Sequence, residues 1–312
     1  MFQHWHVITP DTILDRGLEI SYPHHDEKKR YRVRRSTQLE RFASYYGSRN
    51  IEAYCQTYLD LQVTDIDEAR MEPMDDPDKN LTRFMWAINF LSNYQTSNKI
   101  VGDFGVCVTT GKTWIWIFIE KIHGLYAAKI LWREVWNPTM DPNLPQVVFI
   151  ISYDGVHFAI EERQTEKYSK DKSFYSHKFK TAGLTYEIAC NLHEDEIVWS
   201  NGPFPAGTSD ETIFKMEGGL EEQIPDGKLG IADHGYRRCK KTSCSRSLDS
   251  EEVQEFKARA KARQESLHIR LKRYDILKQV FRHSIEKHEI AFGACLVLVQ
   301  YQLENGSPLF DT

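Results

Sequence analysis

Four acidic residues are placed where their side chains could act together: Asp154, Asp210, Asp233 and Glu265. Asp154 and Asp233 each end an apolar run typical of a buried strand, and Glu265 lies in a long basic helical pattern. A charged carboxylate beside buried apolar residues is costly unless it is paired or binds a metal ion. Grouped carboxylate oxygens are the ligands that Mg²⁺ and Mn²⁺ prefer, so the pattern indicates metal chemistry.

The chemistry that suits such a cluster is attack on a phosphodiester. Two divalent ions about 4 Å apart activate a water or hydroxyl and stabilise the departing oxygen. Three or four Asp and Glu side chains can supply the protein ligands, and water and substrate phosphate complete the coordination. Without metal, the carboxylates repel one another and their pKa values rise.

The composition is that of a folded globular protein. The 312 residues are 41% hydrophobic and 12% aromatic, and this length predicts two parts. A formal charge of -5 excludes a uniformly basic nucleic-acid coat, so any contact with DNA must use local patches. No apolar run is long enough for a membrane span, and six dispersed cysteines are typical of reduced thiols. We therefore expect no membrane contact and an intracellular location.

The first part of the chain has two segments, and only the second has a helical pattern. Residues 1–79 form an amino-terminal region with a basic block at 28–35 (KKRYRVRR), which is either a localisation signal, a phosphate clamp or solvated charge. Residues 80–136 contain predicted helices at 80–93, 97–104 and 109–122.

The tight turn at Gly105 makes residues 80–136 similar to a helix-turn-helix. In that interpretation Lys112, Thr113 and Trp116 are exposed and contact DNA. A plain helical bundle, with Trp114 in its core, remains an equal alternative.

The second part alternates strands and helices. Strands are predicted at 146–153, 183–192, 197–200 and 229–232, and helices at 251–274, at 285–303 and from Asp210 onward. This order is that of an α/β ribonuclease H-like domain, a mixed sheet flanked by helices, at residues 146–312. In that fold the first and fourth strands are parallel neighbours, which would place Asp154 and Asp233 at one sheet edge.

Five segments together resemble the DDE superfamily endonucleases of Harbinger-type transposases. They are 153–162 (YDGVHFAIEE), 201–214 (NGPFPAGTSDETIF), 231–236 (IADHGY), 262–272 (ARQESLHIRLK) and 301–309 (YQLENGSPL). The resemblance covers roughly residues 80–310 and implies a metal-dependent nuclease or transposase that acts on DNA with two Mg²⁺ or Mn²⁺ ions.

The resemblance also implies site residues. Asp154, Asp233 and Glu265 match the catalytic metal ligands, and Asp210 matches a further ligand, although it is also placed to cap a helix. Gln264 departs from the family pattern, in which a His is expected beside the Glu. Taken alone, Glu265 is better interpreted as an ordinary solvated glutamate that pairs with Lys261, because exposed glutamates are common.

Expected partners follow from the same resemblance and from local charge. Lys261, Arg270 and Lys272 lie near Glu265 on the basic helix and are candidates for phosphate contacts. The resemblance implies a separate DNA-binding helper protein, and we expect an oligomer on DNA and a nuclear location.

Two other functions were compatible with the sequence. One is a transposon-derived DNA-binding or regulatory protein that does not use the nuclease site. The other is a zinc-binding structural protein, in which Cys239 and Cys244 with His234 and Cys190 bind the ion; the spacing lacks a second paired motif, so we expect no zinc.

Overall fold

The computed structural model describes residues 8–21, 34–64, 77–132, 148–161, 172–246 and 248–309. Residues 28–33 of the basic block, 133–136 of the predicted helical segment and 146–147 of the first predicted strand lie outside these ranges. The chain forms two compact units. The first contains residues 1–126, 273–276 and 290–307, and the second contains 127–272, 277–289 and 308–312.

The first unit is helical throughout its described part. Its helices are α1 (Pro10–Ser21), α2 (Arg35–Tyr46), α3 (Ile51–Thr64), α4 (Pro77–Asn93), α5 (Ser97–Phe104) and α6 (Val108–Gly124). The short α7 (Tyr126–Lys129) starts at residue 126, and its other residues belong to the second unit. Aromatic side chains form much of the core, and Phe42, Tyr46 and Tyr54 are fully buried. Gly47 ends α2 with a φ of 75°, a conformation that glycine adopts without steric cost.

Two sequence predictions need correction in this unit. Helix α4 begins at Pro77 rather than at Asn80, because proline is tolerated in a first helical turn; Asn80 is buried inside the helix instead of capping it. Trp116, predicted as an exposed DNA reader, is only 7% exposed and packs edge-on against Phe90. Lys112 and Thr113 are exposed, as predicted.

The second unit contains a six-stranded mixed sheet. Its strands are β1 (Phe149–Ala159), β2 (Tyr175–Ser176), β3 (Thr181–Asn191), β4 (Ile197–Pro205), β5 (Leu229–Ile231) and β6 (Thr242–Ser243). β3 pairs antiparallel with β1 on one side and with β2 and β4 on the other. β5 pairs parallel with both β1 and β6, so the predicted parallel pairing of the first and fourth main strands is present.

The unequal lengths of β1 and β5 create an open edge. β5 pairs with β1 only as far as Ile231 opposite Ser152, while β1 continues to Ala159. Asp154 was predicted to follow the first strand, but it lies within it. Residues 149–153 of the apolar run are the continuously buried part of β1, and the strand continues beyond them through residues of mixed burial.

Helices α8 (Asp210–Lys215), α9 (Leu220–Gln223) and α10 (Glu251–Leu271) pack against the two faces of the sheet. Two further helices, α11 (Asp275–Lys278) and α12 (Ile285–Glu304), follow in the chain. On one face Tyr153 stacks on Phe214 of α8, with ring centroids 5.0 Å apart. On the other, Phe149 stacks on Phe256 of α10 at 6.1 Å. α10 ends at Leu271, three residues before the predicted end.

Helix α12 passes from one unit to the other. Residues 285–289 belong to the second unit, and the rest of the helix belongs to the first. There Tyr301 donates a hydrogen bond to Asp60, and Asn50 donates to the backbone oxygen of Asn305. Among the described residues, no helix is long and apolar enough to cross a membrane.

Candidate active site

Asp154 lies on the face of β1 that α10 covers. Side chains alternate along a strand, so Ser152 and Asp154 point toward α10, while Tyr153 and Gly155 point to the other face. The Oδ1 atom of Asp154 accepts a hydrogen bond from the backbone N–H of Gly155 at 2.8 Å. The pairing of β1 with β5 ends at Ser152, two residues before Asp154.

Asp210 is the first residue of α8, and it does not cap the helix. Ser209 is the cap: its Oγ accepts a hydrogen bond from the backbone N–H of Thr212 at 3.2 Å. Ser209 therefore has the helix-capping role that the sequence had suggested for Asp210. The carboxylate of Asp210 is directed toward the sheet, beside Gly155.

Asp233 follows β5 and opens a single 3₁₀ turn at 234–236. Its Oδ1 accepts a hydrogen bond from the backbone N–H of Gly235 at 2.7 Å. The backbone carbonyl of Asp233 accepts the thiol proton of Cys244, with Sγ 2.9 Å away. These contacts fix the carboxylate beyond the carboxyl end of a parallel strand, where ligands commonly bind in open α/β sheets.

Two glycines leave space for the carboxylates of Asp210 and Asp233. A Cβ atom placed on Gly155 would lie 2.8 Å from Asp210 Oδ1. One placed on Gly235 would lie 2.7 Å from Asp210 Oδ2 and 2.9 Å from Asp233 Oδ1. Any side chain at these positions would occupy the space where the carboxylates meet.

The proximity of the aspartates affects their ionisation. Burial, followed by the charges of Asp233 and Asp210, raises the pKa of Asp154 to about 7, against the opposing effect of the Gly155 N–H. Burial and the charge of Asp233 also raise the pKa of Asp210. Neighbouring carboxylates repel one another when they are charged, and this repulsion favours the protonated form.

Glu187 is a fourth carboxylate beside the cluster that the sequence reasoning missed. It lies on β3 opposite Gly155 and has no exposed surface. Neither carboxylate oxygen has a hydrogen-bond partner within bonding geometry among the described residues. Burial raises its pKa to about 8, although the nearby Trp199 and Tyr236 donors favour the charged form. The available signal was one acid within the apolar strand GLTYEIACNL.

Helix α10 presents Gln264 and His268 to Asp154's face of the sheet. The amide of Gln264 donates to the Ile188 carbonyl at 2.9 Å and accepts from the Cys190 thiol at 3.0 Å. His268 lies one turn further along, with Nδ1 3.9 Å from Asp154 Oδ2. Burial lowers the pKa of His268 to about 4, so the imidazole is neutral and this contact is not an ion pair at neutral pH.

Glu265 lies on the same helix but is exposed. It is about 100° around the helix from the buried Gln264, on the side that carries Lys261 and Lys272. The structure brings the three aspartates together and leaves Glu265 at the rim, outside the set of charges that raise the pKa values of Asp154 and Asp210.

The predicted phosphate-binding residues differ in their surroundings. Lys261 donates to Ser245 Oγ at 3.1 Å, and Arg270 donates to the Pro308 carbonyl at 2.8 Å. Lys272 is exposed, and its charge helps to lower the pKa values of His157 and His268. A basic residue that the sequence reasoning missed, Lys178, opposes the raised pKa values of Asp154 and Asp210 and thus lies near both.

The donor set fits Mg²⁺ or Mn²⁺ by chemical type, because converging aspartate oxygens are hard ligands. Within the described ranges, no three His, Cys, Asp or Glu side chains are already arranged around one ion. The cysteines considered for a zinc site have other contacts. The thiols of Cys190 and Cys244 donate hydrogen bonds to Gln264 and to the backbone carbonyl of Asp233. Burial raises the pKa values of Cys239 and Cys244.

Residues 153–300 match the family model described as "DDE superfamily endonuclease". The match begins one residue before Asp154 and contains all four carboxylates predicted as ligands. It suggests a transposase-like nuclease, a family that generally uses divalent metals on a DNA substrate. No curated protein and no solved structure shows significant similarity to the chain.

Proposed function

We propose that this protein is a transposase-derived endonuclease of the Harbinger type that cleaves or transfers DNA phosphodiester bonds by a two-metal mechanism. The observation that carries the proposal is the convergence of Asp154, Asp210 and Asp233 beside Gly155 and Gly235. These side chains come from three separate elements, and the family match spans them all.

The topology supports a ribonuclease H-like fold for the nuclease unit. Its main strands lie in the order β4, β3, β1, β5, β6, with the first three antiparallel and the last three parallel. In that order the end of β5 lies next to β1. This arrangement supports Asp154 of β1 and Asp233 after β5 as the two neighbouring aspartates of such a site.

We assign a separate role to each side chain of the site. Asp154 and Asp233 would hold or bridge the two Mg²⁺ or Mn²⁺ ions, Asp210 would add a ligand, and Glu265 would turn inward from the rim to complete the second site. The bound ions would supply Lewis-acid activation of water and stabilise the leaving oxygen. Gln264 and its hydrogen bonds to the sheet would hold α10 in place beside Asp154.

DNA would reach the site through local positive charge. Lys272 is exposed near the cluster, and Lys261 and Arg270 could exchange their present partners for phosphate oxygens. In the helical unit, Lys112 and Thr113 are exposed at the start of α6 and are the proposed contacts of a helix-turn-helix-like segment.

Cleavage of a labelled DNA duplex tests the proposal. We expect cleavage to require Mg²⁺ or Mn²⁺ and to disappear in Asp154→Asn and Asp233→Asn. Glu255→Gln, an exposed carboxylate on α10 outside the cluster, is the matched control and should retain activity. Cleavage that survives Asp154→Asn would refute the assignment of this site.

The exposed position of Glu265 favours one alternative, a transposon-derived DNA-binding or regulatory protein that does not cleave. Calorimetric metal titration separates the two functions. A nuclease should bind two divalent ions, and Glu265→Gln should remove one of them. A regulatory protein would bind DNA with no change in metal binding in Glu265→Gln.

A further inference from the structure

The turn between β2 and β3 carries an exposed aromatic ring between basic residues. Residues 177–180 have the sequence HKFK, and all four side chains are exposed. The turn is held by Lys180 N–H, which donates to the Ser176 carbonyl at 2.8 Å, and by Phe179 N–H, which donates to Ser176 Oγ at 3.2 Å. Phe179 remains 49% exposed despite this ordered backbone.

Phe179 lies flat on the imidazole of His157. The ring centroids are 4.4 Å apart and the planes differ by 12°. Burial is the main reason that the pKa of His157 falls to about 4, so the imidazole is neutral. A Cβ on Gly183 would lie 2.1 Å from the imidazole, so glycine at this position gives the ring its space. One face of Phe179 is thus covered by His157, which accounts for the half-exposed ring.

This stack lies next to the aspartate cluster. His157 follows Gly155 by two residues on β1 and points to the same face, about 7 Å along the strand. The Oδ1 atom of Asp210 approaches that face at Gly155. The ammonium of Lys178 lies 5.3 Å from the Phe179 ring centroid and near enough to Asp154 and Asp210 to act on both carboxylates.

We propose that Phe179 stacks on an unpaired nucleobase of the DNA strand that enters the aspartate cluster, and that Lys178 contacts the adjoining phosphate. This inference rests on the proposed function and adds that the site receives single-stranded or locally opened DNA. Aromatic rings stack on any base, and neighbouring lysines neutralise the backbone, so the turn combines the two features of single-strand binding surfaces.

Binding of a short fluorescent single strand and of its blunt duplex, followed by anisotropy, tests the inference. The full chain is used with Ca²⁺ in place of Mg²⁺, so that binding is measured separately from cleavage. The variants are Phe179→Ala, Phe179→Trp and Lys178→Gln. Leu248→Ala is the control, since Leu248 is 95% exposed and lies at the opposite end of α10 from His268, about 25 to 30 Å away.

We expect Phe179→Ala to weaken single-strand binding by roughly 5- to 150-fold, the effect of losing one stacked base, and to change duplex binding much less. Phe179→Trp should restore the affinity, and Lys178→Gln should weaken binding of both DNAs and reduce its salt dependence. Light-induced crosslinking of a 5-iodouracil single strand should label the peptide that contains Phe179.

Single-strand affinity of Phe179→Ala within twofold of the wild-type value would overturn the inference. An equal loss for the single strand and the duplex, or no recovery in Phe179→Trp, would also overturn it. These outcomes leave the nuclease proposal standing if Asp154-dependent cleavage is observed. Conversely, Phe179-dependent binding without any cleavage would refute the nuclease and retain the stacking surface.

Discussion

Replacement of Glu187 by glutamine should change how the stability of the protein depends on pH. Glu187 has no exposed surface, its oxygens have no partner within hydrogen-bond geometry among the described residues, and its pKa is raised from 4.5 to about 8. Above pH 4.5 the unfolded chain releases this proton, whereas the folded protein keeps it until about pH 8. Stability is therefore highest at low pH and falls as the pH rises through this window.

The expected magnitude follows from the width of the window. Each pH unit between the two pKa values removes about 1.4 kcal/mol, so wild-type protein should lose about 2 to 3 kcal/mol between pH 5 and pH 7 from Glu187 alone. Glutamine is neutral throughout, so Glu187→Gln should lack this loss. Asp154 contributes in the same direction in both proteins, and comparison of the two pH curves isolates Glu187.

Urea unfolding in chelator at constant ionic strength, from pH 5 to pH 8, measures the effect. Tryptophan fluorescence is a suitable signal, because Trp199 lies beside Glu187. Glu255→Gln, which changes an exposed glutamate on α10, should follow the wild-type pH curve. Parallel curves for Glu187→Gln and wild type would show that Glu187 is ionised in the folded protein and would refute the reasoning.

Three further predictions concern metal binding and packing. Affinity for Mn²⁺, measured by calorimetry, should fall about tenfold per pH unit below pH 7, because Asp154 must lose a proton to bind the ion. Gly235→Ala should weaken Mn²⁺ binding by about tenfold or more, since its methyl group would displace the carboxylates of Asp210 and Asp233. Trp116→Ala should lower the free energy of unfolding by about 3 to 5 kcal/mol in denaturant titration, because the indole is buried.

Each of these has a matched control and a contradicting result. For the pH dependence of Mn²⁺ binding, the control is Asp154→Asn, which should bind Mn²⁺ weakly at every pH. A wild-type affinity that is constant from pH 5 to 8 would contradict this prediction. Gly124→Ala, where a Cβ meets nothing within 4 Å, should leave metal binding unchanged. Lys112→Ala, at an exposed position of α6, should change stability by less than about 0.5 kcal/mol, and a similarly small effect of Trp116→Ala would place the indole at the surface.

The sequence predicted the main elements because their patterns are local. The apolar run before Asp154 predicted a central strand, and the parallel pairing of β1 with β5 is present. What the sequence could not predict depends on contacts between distant residues. Helical spacing allowed either Trp114 or Trp116 to face the core, and contact with Phe90 on another helix buries Trp116.

In the candidate site, too, local patterns predicted some features, and contacts between distant residues decided the others. Ser209 and Asp210 both have side chains that cap helices, and the sequence does not reveal that Ser209 makes the bond. Glu187 was missed because its importance arises from the pairing of β3 with β1, which places it opposite Gly155. Whether Glu265 turns toward the aspartates stays a prediction, because its position on α10 sets only the side of the helix that it occupies.

The passage of α12 between the two units has a practical consequence for protein production. A fragment that starts near residue 146 would retain the strands of the second unit and also residues 290–304, which belong to the helical unit. Phe292, Leu296 and Val299 of that segment are buried in the whole chain. In the shortened fragment they would face water and promote aggregation. An insoluble fragment would therefore not test the proposed nuclease activity, and experiments on that activity should use the whole chain.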